Sequence, residues 1–137
     1  MQNTELFKKI MAGEIPCEKI YEDENAFAFL DINPVNPGHA LVIPKVWSSG
    51  FLDANEEVIR ALMPAIQKVA RAVKAATKAD GINIIQNEGD AAGQKVFHLH
   101  FHVIPRYEND GYEPWHGKPY ASGDDIKAMG ASIRESL

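Results

Sequence analysis

Between Val96 and Ile104 the chain reads Val-Phe-His-Leu-His-Phe-His-Val-Ile, with a histidine at every second position. A period of two belongs to a β-strand, whose successive side chains leave on opposite faces. The strand reading sends Phe97, Leu99, Phe101 and Val103 to a core and gathers His98, His100 and His102 on the other face. Packing alone has no use for three imidazoles side by side. Chemistry near neutral pH does, because each ring can hold or release a proton there.

The flanking sequence predicts the rest of the sheet. Residues 4–12 read as a short helix capped by Thr4 or Asn3 and ended by Gly13. Strands are expected over 18–22, 26–31, 39–45 and 82–86, with a hairpin at 22–25 and a turn-rich loop at 32–38. A long helix is expected from Asp53, with Glu56 completing a capping box, to about Lys78. Its apolar positions Val58, Leu62, Ile66, Val69, Val73 and Ala76 share one face. Pro64 lies inside it and predicts a kink or break. Beyond Arg106 the chain is loop-like until Ser122-Gly123-Asp124 opens a terminal helix. Five strands, one long helix and short terminal helices make an α+β fold with a mostly antiparallel sheet, in a single domain over 1–137.

Composition narrows the setting. The formal charge of −5 argues against broad nucleic-acid binding, which needs a basic footprint. The single cysteine, Cys17, rules out an internal disulfide framework and fits a reducing compartment. Glu5, Lys8, Lys9 and Glu14 interrupt the N-terminal apolar residues, so neither a signal-peptide core nor a membrane-spanning helix is expected. A cytoplasmic enzyme or binding protein is the default.

Strand spacing also bears on what the histidines do. At about 3.3 Å per residue, the Cα atoms of His98 and His102 lie roughly 13 Å apart, too far for three rings to share one ion easily. No CxxC, HExxH or second histidine cluster supplies further ligands. The other reading gives each ring its own task. A neutral imidazole nitrogen is a competent nucleophile toward phosphorus, provided that its second nitrogen is pinned as N–H. A neighbouring histidine then neutralises charge or protonates a leaving group.

His98-Leu99-His100-Phe101-His102-Val103-Ile104 resembles the defining motif of the histidine triad (HIT) superfamily, in which three histidines alternate with apolar residues. Gly93-Gln94-Lys95-Val96, Gly13-Glu14-Ile15-Pro16, Asp31-Ile32 and the stretch from Gly38 to Lys45 are similar to family blocks in family order. The resemblance covers residues 5–106 and leaves 107–137 as an extension; it is nearest the bacterial Hit and Hint-type branch. It implies that His100 is the nucleophile, that His102 serves phosphate and leaving group, and that His98 and His39 hold the nucleophile. It implies that Asp31 takes the ribose hydroxyls, and that Ile32, Phe29, Phe7, Leu6 and Ile15 form a purine pocket. Asn87 and Gln94 would meet the phosphate, beside Lys95 and Val96. The implied activity is cleavage of a phosphoramidate or dinucleoside polyphosphate linkage on a nucleoside 5′-monophosphate, through a nucleotidyl-histidine, in a homodimer and without a metal or cofactor. The alternative is a dimeric nucleotide-binding interaction module with little catalysis.

Two departures from the family pattern carry expectations. Some bacterial members hold zinc with an N-terminal CxxC and a histidine after the Pro-Lys of the third strand. Here those stretches read Glu5-Leu6-Phe7-Lys8 and Trp47, so no structural zinc is expected. Hint-type enzymes usually carry serine where this chain has Lys95, and a cation there favours an anionic leaving group. The loop from Gly89 to Lys95 lacks P-loop spacing, although its amides are candidates for an anion nest. His116 reads as incidental, and Tyr107, Tyr112, Trp115 and Tyr120 as packing or interface. The exposed part of the helix around Leu62–Val69 and that aromatic loop are the candidate dimer interface.

Overall fold

Ala26-Phe27-Ala28-Phe29 alternates small and large side chains, and so does Ala40-Leu41-Val42-Ile43; in the fold all eight are buried. A strand buried on both faces needs a layer on each side, and the sheet has one. The computed structural model describes residues 3–137. Its elements are α1 (Leu6–Met11), β1 (Lys19–Glu22), β2 (Ala26–Leu30), β3 (Ala40–Pro44), α2 (Glu56–Thr77), β4 (Gly81–Ile85), β5 (Phe101–Arg106) and α3 (Gly123–Glu135). The five strands run in the order β1-β2-β3-β5-β4, and each neighbouring pair is antiparallel. The expected α+β architecture is therefore the observed one. No helix among the described residues is long and apolar enough to cross a membrane.

The small residues face α2. Ala26, Ala28, Ala40 and Val42 join Leu99 and Val103 against Leu62, Ala65, Ile66, Val69 and Val73 of the helix. Alanines in the sheet let a helix approach closely without leaving voids. The large residues Phe27, Phe29, Leu41 and Ile43 face the other way and meet Phe7 and Ile10 of α1.

Three local expectations differ from the structure. The N-cap of α2 is Asn55, whose side chain accepts from the Glu57 N–H. Asp53 instead takes the N–H groups of Ser49 and Gly50 and organises the turn before the helix. Pro64 does not break α2, which runs unbroken for 22 residues. The proline sits on the exposed side, so the carbonyl it deprives of a partner is open to water, while Leu62, Ala65 and Ile66 hold the helix on the sheet. Finally, the histidine run is strand only from Phe101 onward. Continuing the β3–β5 register would set Pro44 opposite Leu99, and proline has no N–H to give the ladder. The chain bends at Phe97 and His98, and residues 97–100 lie outside the ladder, held by other means.

Candidate active site

The loop of residues 31–39 closes on itself before β3 begins. The Asp31 N–H donates to the His39 carbonyl at 2.9 Å, and the His39 N–H to Asn36. Gly38, at φ +100°, lets this turn pass the end of α2; a Cβ there would lie 2.6 Å from Thr77 Cγ2. The loop thereby delivers His39, buried, and Asp31, partly exposed, beside the end of the histidine run.

The hydrogen bonds fix the state of each ring. A backbone N–H only donates and a carbonyl only accepts, so every such contact assigns one nitrogen. Val35 N–H donates to His39 Nδ1 at 3.1 Å, leaving the proton on His39 Nε2. That Nε2–H donates to His102 Nδ1 at 2.9 Å. His102 consequently carries its own proton on Nε2. His100 Nδ1–H donates to the His98 carbonyl at 2.7 Å, which leaves the His100 Nε2 lone pair bare. His98 Nε2–H donates to the Pro44 carbonyl at 2.9 Å, and its Nδ1 is buried with no partner among the described residues. The His39 ring thus orients His102, whereas His100 is oriented by the backbone of His98.

Burial keeps these rings neutral. It lowers the pKa of His100 below the ordinary 6.5, against the raising influence of the His98 carbonyl and Asp31. His39 and His98 are lowered by the same cause. His102 is pushed down to about 4, first by burial and then by His100 and His39.

A cavity of about 330 Å³ opens beside them. Its polar lining includes His100, His102, Asp31 and Lys95, and its apolar lining includes Leu6, Phe7, Ile15, Phe29, Ile32 and Val96. The Phe7 ring meets the His100 ring edge-on at 5.0 Å. Ten of the expected site residues are therefore brought to one space, together with Ile10, Cys17, Leu41 and Gly93. Cys17 follows Ile15-Pro16 into the cavity, and Leu41 faces it by the alternation of β3; period-two counting would have found the latter.

The other four expected residues stand outside the cavity lining. His98 and His39 act behind it as described. Asn87 is absent from the lining and offers its carbonyl to Gln86. Gln94 is fully buried, with its amide committed to the Gly89 N–H and the carbonyls of Ser49 and Val96. It braces the loop. The amides of Gly89, Ala92, Gly93 and Gln94 all bond within this segment, so they form no anion nest. Leu62, Ala65, Ile66 and Val69 pack on the sheet, and the exposed side of the same stretch carries Met63, Pro64, Gln67 and Lys68.

Asp31, His39 and His102 place one potential ligand atom each within 4.8 Å of one another. Protonation of His39 Nε2, dictated by Val35, removes the lone pair that a cation would need. The cluster is built as a hydrogen-bond chain.

Comparison with known proteins agrees with the motif. A family model described as the HIT domain matches residues 12–109. "Protein hit" of Bacillus subtilis is 41% identical over 136 residues, spanning 96% of this chain and 93% of its own. The adenosine 5′-monophosphoramidase hnt1 of Schizosaccharomyces pombe is 38% identical over 96% of this chain and 97% of its own. The adenylylsulfatase HINT3 of Arabidopsis thaliana is 41% identical, over 80% of this chain and 56% of its own. A crystal structure of a HIT-family protein from Bacillus subtilis superposes with a TM-score of 0.88 at 39% identity, covering 96% of each chain. An HxHxH run, a four-histidine site beside an apolar cavity, and relatives along nearly the whole length lead to one conclusion: the chain belongs to the HIT family.

Proposed function

We propose that the protein is a nucleotide hydrolase or nucleotidyl transferase acting on a purine nucleoside 5′-monophosphate joined to a leaving group. The observation that carries this reading is the His98 carbonyl bond to His100 Nδ1, which supports Nε2 as a neutral nucleophile beside the cavity. The relatives named as an adenosine 5′-monophosphoramidase and an adenylylsulfatase support the nucleotide class.

In this mechanism the apolar walls from Phe7, Phe29 and Ile15 take the base and Asp31 takes the ribose hydroxyls. His100 Nε2 attacks the α-phosphorus, and the bond to the leaving group breaks as the phosphorus–nitrogen bond forms. The charge of the bound phosphate raises the proton affinity of the His39–His102 pair, which takes up one proton from solvent; His102, then an imidazolium, gives its Nε2 proton to the departing group and is left neutral. Water then cleaves the nucleotidyl-histidine, releasing the 5′-monophosphate and returning the ring. Lys95, exposed at the cavity and without a carboxylate within 4 Å among the described residues, favours a leaving group that departs as an anion.

Incubation with adenosine 5′-phosphoramidate and with diadenosine polyphosphates tests the reading. Turnover by the wild type and none by His100→Ala is expected, with the protein gaining one nucleotidyl mass on alkaline quench, which preserves a phosphorus–nitrogen bond. Turnover no better than the variant's overturns it. We further propose a cytoplasmic homodimer, using exposed apolar residues such as Met63, Ile84 and Met129; a monomeric mass by light scattering at micromolar concentration would sink that.

A further inference from the structure

The bond that prepares His100 depends on one peptide group, and that group is gripped from outside the cavity. The His98–Leu99 peptide carries the carbonyl that accepts from His100 Nδ1. It also carries the Leu99 N–H, which donates to the Ser48 carbonyl at 3.0 Å. In a trans peptide the N–H and C=O point in opposite directions, so an acceptor on the Ser48 side aims the carbonyl at His100. The preceding peptide plane is fixed by a side chain: Trp47 Nε1–H donates to the Phe97 carbonyl at 3.1 Å. No ladder does this work, because β5 begins only at Phe101. The Trp47 ring is itself steadied by Lys8, whose ammonium stands 5.0 Å from its centre. Trp47 does not line the cavity.

We propose that Trp47 is a positioning residue: its indole N–H, through the Phe97 carbonyl, sets the His98–Leu99 peptide and so holds His100 in the tautomer with a bare Nε2. Without that donor the Phe97 carbonyl turns to water, the two peptide planes rock, and the His98 carbonyl no longer holds the proton on Nδ1. The Nε2–H tautomer, which has no lone pair on the attacking nitrogen, becomes populated. The kinetic consequence rests on His100 being the nucleophile proposed above; the effect on the imidazole does not.

Full-length Trp47→Phe keeps an aromatic face under Lys8 and loses the donor, together with part of the indole's volume. With ¹⁵N-labelled histidine near neutral pH, the wild type is expected to give His100 one protonated and one bare ring nitrogen. In the variant the two shifts move toward each other, and kcat falls about fivefold, the worth of one hydrogen bond, with KM little changed. Trp47→Gln, which retains an N–H donor, is expected to recover the wild-type pair of shifts in part. If phenylalanine leaves the chain unfolded, benzothienylalanine at position 47 keeps the indole shape without its N–H and gives the same reading. Unmoved His100 shifts in the donor-less protein overturn the proposal, even if its melting temperature drops. Shifts that move in a protein whose wild type turns over no nucleotide would uphold the positioning role and sink the nucleophile reading.

Discussion

One face of the sheet offers Ala26, Ala28, Ala40 and Val42 to a 22-residue helix; the other offers Phe27, Phe29, Leu41 and Ile43 to a helix of six residues. The small side chains lie under a long cover that closes over them. The large ones lie under a cover too short to reach across, and the uncovered remainder is the cavity beside His100. Burial on the α2 face is complete without a ligand. On the α1 face a ligand has apolar wall left to bury, and two neutral imidazoles, His100 and His102, line it with His39 and His98 behind them. Stability and chemistry are thus assigned to opposite sides of the same strands, one residue apart in sequence.

The division can be broken most sharply at the proposed nucleophile. His100→Ala is expected to lose activity by about three orders of magnitude or more while its circular dichroism stays native. On the opposite face, Leu62→Ala empties a fully buried position and costs about 2–5 kcal/mol in urea unfolding. The folded fraction should retain wild-type kcat and KM; a changed KM would mean that the two faces are coupled. Phe7→Leu, which trims the cavity wall, should raise KM several-fold and lower stability by about 1 kcal/mol. Acid reaches both faces through the site. The lowered pKa values of His39, His98 and His100, and that of His102 at about 4, lie below the 6.5 of the unfolded chain. Between those values the unfolded chain holds protons that the folded one refuses. Stability is therefore full above pH 6.5 and drains away as pH falls toward the folded values, with activity following as His100 protonates. The smallest effect belongs to Lys95→Ser, which should shift preference from anionic toward amine leaving groups by about two- to fivefold, less in high salt.

Periodicity made much of this legible. Alternation located the strand that ends as β5, turn formers bracketed β2 and β3, and four-and-three spacing located α2, because burial on one face leaves a regular trace in sequence. The motif likewise led to ten of the cavity's residues. What sequence spacing missed was set by hydrogen bonds between distant segments. Pro44 ends the ladder only because the register places it opposite Leu99. Gln94 looks like a ligand contact until Ser49, 45 residues away, is seen to occupy its amide. Asp53 and Asn55 are both reasonable caps, and the turn at Ser49–Gly50 decides between them. His39 is attached to His102 rather than His100 by the path of the loop over residues 31–39, which no local pattern encodes.

His98 leaves one lone pair unanswered in a place that water does not reach. Hydration of that corner would restore a hydrogen bond that the native state lacks, so transient local opening costs less there than in a fully paired strand. Hydrogen exchange should register the difference: the amide of Leu99 is expected to exchange ahead of that of Val103, although both residues are completely buried. The loosest buried backbone beside the sheet would then be the stretch whose carbonyl holds the His100 ring.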